Sequence, residues 1–397
     1  MKMIERGHYL DKLKKLKGTP DIKVITGVRR SGKSKLMDSH ISWIEENEQD
    51  ANIIYIDFTN LQFEELKEYH ALNKYVEELY QRRKNNYLFI DEVQMCPQFE
   101  LTINSLHSSG KFDIYVTGSN AFLLSSDLAT LFTGRTYEIE VFPFSFAEYL
   151  EYYQLQDIDK AFEQYIKDGG MAGSYAYQEQ DERYQYIEDV YDTLIVRDIR
   201  QKYKIRNSAL MNSISDFMMD NISNLSSTRQ IADTLTKNKD IINHKTVGKY
   251  LEYLCNAFAF YKVRRYDIRG KKYLASSEKF YLSDHAFRYA KLGPRNMDYG
   301  RVIENIVAIE LMRRGYEIYD GVLYKKEIDF VAMKHDEKLY IQVSDDISGV
   351  KTFEREVDPL LRIKDAYPKI LIARTKHEVY QYEGIKIIDV ADWLKEM

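Results

Sequence analysis

Cysteine is nearly missing from this chain. Cys96 and Cys255, the only two in 397 residues, are far apart and have no metal-ligand spacing. A small disulfide-stapled fold and a thiolate metal site are both excluded, and a reducing compartment is expected. Long hydrophobic runs are missing too, since no apolar stretch reaches the roughly 18 residues of a membrane-spanning helix. The opening Met1-Lys2-Met3-Ile4-Glu5-Arg6 has no export-signal pattern, and Leu10, Leu13 and Leu16 fall on one face of an amphipathic helix. A cytoplasmic protein with no membrane partner is the expectation. Positive charge is not in excess: 57 Lys and Arg face 62 Asp and Glu, a net of −5. That argues against coating nucleic acid through a global positive field but leaves room for a local basic face. A hydrophobic share of 44% is enough for packed cores, and the length suggests about two to four domains. The 33 tyrosines are read as compositional bias rather than as a functional stripe.

What is present begins with Gly27-Val28-Arg29-Arg30-Ser31-Gly32-Lys33-Ser34, directly after the apolar run Ile22 to Thr26. This GxxxxGK[ST] pattern is a phosphate-binding loop. Its glycines let successive N–H groups wrap an anion, Lys33 can reach the β and γ phosphates, and the Ser34 hydroxyl can ligate Mg²⁺. The helix that starts here adds its positive dipole end. Residues 27 to 34, together with Lys35, are the candidate ATP-binding set.

A buried-strand pattern, Tyr87-Leu88-Phe89-Ile90, ends in Asp91-Glu92. With a phosphate loop upstream, Asp91 is the expected second Mg²⁺ residue and Glu92 the group that polarises the attacking water. The next strand, Asp113 to Thr117, runs into Gly118-Ser119-Asn120. Ser119 first, then Asn120, are candidates to sense the γ-phosphate. Arg135, after Gly134 and before another strand, is placed like an arginine finger.

These segments, with Val141-Phe142-Pro143-Phe144-Ser145-Phe146-Ala147-Glu148-Tyr149-Leu150, resemble bacterial and archaeal AAA+ ATPases that carry a C-terminal domain related to the restriction-endonuclease fold. Gly169-Gly170-Met171-Ala172-Gly173 resembles that family's glycine turn, with alanine where proline is expected.

The fold class expected is α/β. Strands at 22–26, 53–58, 87–90, 113–117 and 137–141 alternate with helices near 34–48, 61–83, 99–109 and 121–132, which gives a parallel sheet with nucleotide at its carboxyl edge. Residues 1–150 would form the P-loop core and 151–206 a helical lid. Residues 207–290 read as a winged helix: Ser227 to Leu235, Asn243 to Leu254, then strands around the basic Arg264, Arg265, Arg269, Lys271 and Lys272, which are candidate contacts to double-stranded DNA. Residues 291–397 resemble a PD-(D/E)xK nuclease core, with Glu304, Asp329 and Gln342 in the ligand positions. Ser344 stands where lysine belongs, so a vestigial site is expected, with Lys351 the one lysine that could migrate into the role. The overall expectation is a homo-oligomeric Mg²⁺-dependent ATPase acting on DNA or a protein partner. An ATP-gated nuclease and a scaffold with negligible turnover are the alternatives.

Overall fold

The computed structural model describes residues 4–118, 132, 134–236, 242–293 and 298–396. It divides into two compact units, Met1–Val141 and Phe142–Met397.

The first unit contains α1 (Gly7–Leu16), β1 (Ile22–Thr26), α2 (Lys33–Asn47), β2 (Ala51–Asp57), α3 (Tyr69–Glu78), β3 (Asn85–Asp91), α4 (Phe99–Ser108), β4 (Asp113–Thr117) and β5 (Thr136–Glu140). Its strands run parallel in the order β2-β3-β4-β1-β5. Successive strand residues face opposite sides. Leu88 and Ile90 therefore join Ile54, Ile56, Ile114 and Val116 beneath α3 and α4, while Phe89 joins Ile25, Tyr115 and Ile139 beneath α1 and α2. Covering both faces demands strands with almost no polar residue. Lys23 is the charged exception inside β1; its buried ammonium donates to the Asp113 carboxylate at 2.5 Å and to the Thr19 carbonyl at 2.7 Å.

The helix expected over 61–83 is interrupted. A 3₁₀ turn spans Leu61–Lys67, and α3 starts afresh after Glu68, whose carboxylate accepts the Ala71 N–H at 2.8 Å. A capping side chain in mid-segment offers the backbone a new start in place of continuation. Of the helix expected over 121–132, all but Phe132 lies outside the described residues.

The second unit opens with α5 (Phe146–Tyr153), α6 (Ile158–Asp168), α7 (Gln180–Thr193), α8 (Ser208–Asp220), α9 (Thr228–Leu235) and α10 (His244–Asn256). There follow β6 (Phe260–Asp267), β7 (Lys272–Leu282), α11 (Ala286–Leu292), α12 (Tyr299–Arg313), β8 (Glu317–Leu323), β9 (Lys326–Lys334), β10 (Glu337–Ser344), α13 (Val350–Leu361), β11 (Lys369–Ala373), β12 (Tyr380–Tyr382), β13 (Ile385–Asp389) and α14 (Val390–Lys395). One eight-stranded sheet runs β12-β13-β11-β10-β9-β8-β6-β7.

This division differs from the expected one in two places. The first unit ends at Val141, so the segment 142–206 that contains the expected lid belongs with the C-terminal residues. The β6–β7 hairpin, expected as a free wing, is hydrogen-bonded through parallel β6–β8 pairing into the C-terminal sheet, so a boundary at 290 cuts one sheet. Pairing with β8 satisfies backbone groups that an isolated hairpin edge would leave open.

The double glycine earns its place by close approach. A Cβ on Gly169 would sit 2.3 Å from Asp284 Oδ1, and one on Gly170 would sit 2.3 Å from the Phe144 carbonyl oxygen. Ala172 opens a 3₁₀ turn, Ala172–Ala176, at a position that also accepts proline. The turn is held without one, by the Ser174 N–H donating to the Met171 carbonyl at 2.8 Å.

Candidate functional site

Three strand ends meet in the first unit. β1 passes at Thr26 into the loop 27–34, β3 ends at Asp91, and β4, which lies between them in the sheet, ends at Thr117.

The loop requires its glycines. Gly27 has φ 129°, and a Cβ there would lie 2.1 Å from the Val141 carbonyl oxygen; Gly32 has φ 98° and caps α2. Lys33 is buried, its ammonium donating to the carbonyls of Gly27 at 2.9 Å and Val28 at 3.1 Å. Arg30 and Lys35 are exposed, and Lys35 pairs with Asp38 at 2.9 Å. Arg6, which no motif singled out, is buried behind the loop, where it donates to the Ser31 carbonyl at 2.8 Å and lies 4.6 Å from the centre of the Tyr9 ring.

Asp91 is buried and connected to the loop. Burial pushes its carboxyl above the usual carboxylate range, the hydroxyls of Ser34 and Thr117 oppose this by hydrogen bonding, and Glu92 and Asp57 push the same way as burial. The Thr117 hydroxyl donates to Asp91 and accepts the Glu92 N–H at 3.1 Å. Glu92 itself is left-handed at φ 55°, a conformation costing about 1–3 kcal/mol for a non-glycine residue. Its carboxylate accepts from the Gln94 side-chain amide. Thr117 and Gln94 were missed in the sequence, although Thr117, as the last residue of the strand beside β3, was the signal available.

Ser119 and Asn120 lie outside the described residues. Arg135 is exposed at the amino end of β5, its carbonyl accepting the Ile22 N–H at 2.9 Å. The length of β1, roughly 15 Å at 3.3 Å per residue, separates it from the loop at the other end of the sheet.

In the second unit, Glu304 on α12 and Asp329 on β9 do come together, joined by Asp320 on β8 and Glu327 on β9. What they converge on is the ammonium of Lys279 from β7, at 3.0 Å from Glu304, 3.8 Å from Asp329, 3.6 Å from Asp320 and 2.6 Å from Glu327. The Tyr281 hydroxyl donates to Glu304 at 2.8 Å. Burial raises the carboxyls of Glu304, Asp320 and Asp329, with Asp320 pushed up to about 7, while Lys279 works against the rise. Gln342 donates to Glu356 at 3.1 Å, and the Ser344 hydroxyl donates to the Asp346 carbonyl at 3.1 Å. Lys351 is exposed in the first turn of α13, so the lysine among the carboxylates is Lys279 and not the one the sequence suggested. Among the described residues no group of three or more His, Cys, Asp or Glu side chains is arranged to hold a metal ion. Arg265, expected in the basic loop, lies in β6 and donates to Asp320 at 2.8 Å; Arg264, Arg269, Lys271 and Lys272 are exposed.

A family described as an AAA domain matches residues 19–150, and a domain of unknown function (DUF8612) matches residues 159–298. An uncharacterized protein of Haemophilus influenzae is 37% identical, the alignment covering 99% of this chain and 98% of that one. The chain belongs to one family with that protein, and its residues 19–150 match the AAA domain. An uncharacterized protein of Methanocaldococcus jannaschii, MJ1544, is 28% identical over 94% of this chain and 85% of its own length. Among solved structures, the Walker-type ATPase PABY2304 of Pyrococcus abyssi aligns with a TM-score of 0.48 and 18% identity, covering 72% of this chain and 95% of that one. None of the chain's described helices is long and apolar enough to cross a membrane.

Proposed function

We propose that this chain, through its AAA domain, hydrolyses ATP to ADP and phosphate with Mg²⁺, and that its nucleotide state alters its hold on DNA or a protein partner. The observation that carries this reading is the run of contacts from Ser34 through Asp91 and Thr117 to Glu92, across three strand ends beside an anion-binding loop. The loop N–H groups and the amino end of α2 would cradle the phosphates. Lys33 would exchange the Gly27 and Val28 carbonyls for β and γ phosphate oxygens. Ser34 and Asp91 offer one hydroxyl and one carboxylate, the sparse protein donor set that suits Mg²⁺, which there would neutralise charge on the phosphates. Glu92 would accept a proton as the water oxygen bonds to the γ-phosphorus and the bond to the ADP oxygen breaks. Thr117 would act as a positioning residue for both carboxylates. Arg135, far from its own loop, would reach a neighbouring subunit's nucleotide in a homo-oligomer. Phosphate release by wild type, Lys33→Ala and Glu92→Gln tests the core of this reading. Lys33→Ala should not bind ATP, and Glu92→Gln should bind without turnover; wild-type-like release by Glu92→Gln overturns it.

DNA contact is assigned to the second unit, where α9, α10 and the β6–β7 hairpin follow the order of a winged helix and Arg264, Arg269, Lys271 and Lys272 are exposed. The convergence of Glu304 and Asp329 on Lys279 supports a role in binding or assembly over cleavage.

A further inference from the structure

Across one face of the eight-stranded sheet, tyrosines stand on four strands. Tyr273 on β7 lies 5.7 Å from Tyr266 on β6 and 5.1 Å from Tyr319 on β8, while Tyr340 on β10 meets Tyr367, just before β11, at 6.5 Å between ring centres. The inner rings of Tyr266, Tyr319 and Tyr340 are buried, but Tyr273 and Tyr367 at the rims are 53% and 45% exposed.

Cations are seated on these rings. The Arg264 guanidinium is 5.1 Å from the Tyr273 ring centre, and the Lys338 ammonium is 5.2, 4.8 and 5.1 Å from those of Tyr266, Tyr340 and Tyr367. At the adjoining hairpin tips, joined by the Ile268 N–H donating to the Val322 carbonyl at 3.0 Å, Arg269 lies 5.1 Å from Tyr324, which is 68% exposed.

Ion-paired cations are the minority here. Lys262, Arg265 and Lys326 pair with Glu278, Asp320 and Asp358, whereas Arg264, Arg269, Lys271, Lys272, Lys325 and Lys338 form no ion pair among the described residues. Of the acids nearby, Asp267 accepts the N–H groups of Arg269 and Gly270, Asp365 accepts the Tyr340 hydroxyl at 2.6 Å and lies close enough to Lys338 to interact with its charge, and Glu317 accepts the Tyr319 hydroxyl at 2.8 Å. A chain of net charge −5 thus concentrates cations without ion-pair partners among the described residues beside two half-exposed tyrosines.

We propose that this face binds a single-stranded polynucleotide, with bases stacking on Tyr273 and Tyr367 and phosphates meeting Arg264, Lys271, Lys272 and Lys338. This rests on the nucleic-acid reading above and narrows it. Duplex DNA keeps its base faces in the stack and would leave the exposed rings without a role, whereas unstacked bases use both the rings and the cations. An acidic protein would use the cations alone.

The test is fluorescence anisotropy on the full chain without nucleotide, using labelled oligothymidylate and oligouridylate of about twenty nucleotides and a duplex of equal length. Tyr273→Leu and Tyr367→Leu should each weaken single-strand binding by about tenfold, with Tyr→Phe at either position retaining it. Lys271→Ala should lower the salt dependence by about 0.7 in slope. The two oligonucleotides distinguish a DNA from an RNA strand. Duplex binding that matches the single strand and ignores both leucine variants overturns the proposal in favour of a duplex surface, as does preferential capture of polyglutamate in favour of an acidic protein, and no binding to any probe overturns it outright. Phosphate release by the same preparation is read separately. Lost hydrolysis with intact oligonucleotide binding sinks only the ATPase reading, and the converse sinks only this one.

Discussion

The hydroxyl of Thr117 holds Asp91 and Glu92 in one arrangement, donating to the carboxylate of the first and accepting the N–H of the second. Replacing it with valine keeps the shape and leaves the Glu92 N–H without its acceptor, at a cost of about 1–3 kcal/mol. If that cost falls on the transition state, kcat should drop by about ten- to a hundredfold with little change in KM, and Thr117→Ser should restore most of it. Equal loss in the serine and valine variants would remove Thr117 from its positioning role.

Arg135 is separated from its own loop by the length of β1, so its effect should require a second subunit. Turnover per protomer should rise with protein concentration. Arg135→Ala should lose about 10³ or more in rate, and mixing it with Lys33→Ala protein should recover activity at hybrid interfaces. Concentration-independent turnover with no recovery on mixing would assign Arg135 to the surface.

Removing Lys279 leaves four carboxylates facing one another, and breaking a buried ion pair from one side costs about 3–5 kcal/mol. The cost depends on pH. Glu304, Asp320 and Asp329 have raised folded-state pKa values, so their protons favour the folded state in acid and that contribution is lost as pH rises, for Asp320 through about 7. Without the ammonium that opposes the rise, the penalty extends further up the scale. The Tm of Lys279→Met should therefore fall increasingly behind wild type between pH 5 and pH 8, as measured by thermal denaturation at a series of pH values. A gap that is constant with pH would mean the ammonium contributes packing alone.

His40 on α2 is fully buried among Trp43, Phe89 and Tyr115, neither ring nitrogen having a hydrogen-bond partner among the described residues. Burial, helped by Lys14, Lys17 and Lys23, lowers its pKa to about 4. A lowered histidine pKa means the unfolded chain takes up the proton first, so stability present above about 6.5 is lost as pH falls toward 4. At pH 5 the loss from this residue is about 2 kcal/mol. His40→Leu should flatten the acid limb of the denaturation profile while changing stability near pH 8 much less. An unchanged acid limb would place the sensitivity elsewhere.

The first unit was legible because its determinants are local. An apolar strand, a glycine-bounded loop and a strand ending in two acids each declare themselves within a few residues, and β1 and β4 begin and end where the pattern put them. Thr117 and Arg6 were less visible, since a threonine ending a strand and an arginine before a helix acquire meaning only when the sheet order brings them to the loop. In the second unit the pairing is long-range. Nothing in residues 260–282 announces parallel pairing with β8, and so the hairpin read as a free wing. Lys279 looked like an ordinary strand lysine because three of the four carboxylates around it arrive from β8 and β9 and the fourth from α12. The tyrosines, read as compositional bias, proved on one sheet face to be a spatial row spread over about a hundred residues of sequence.

The seat of Gly27 against Val141 has a consequence for the order of events during synthesis. β1 leaves the ribosome well before its sheet neighbours β4 and β5, and the loop that follows it is fixed by the backbone of residue 141. Nascent chains that stop before β5 hold the whole loop sequence without the wall that shapes it. Affinity for nucleotide should thus appear late and abruptly, after long-range strand pairing that is intrinsically slow to form. Ligand then stabilises a finished sheet and gives no help to a partial one.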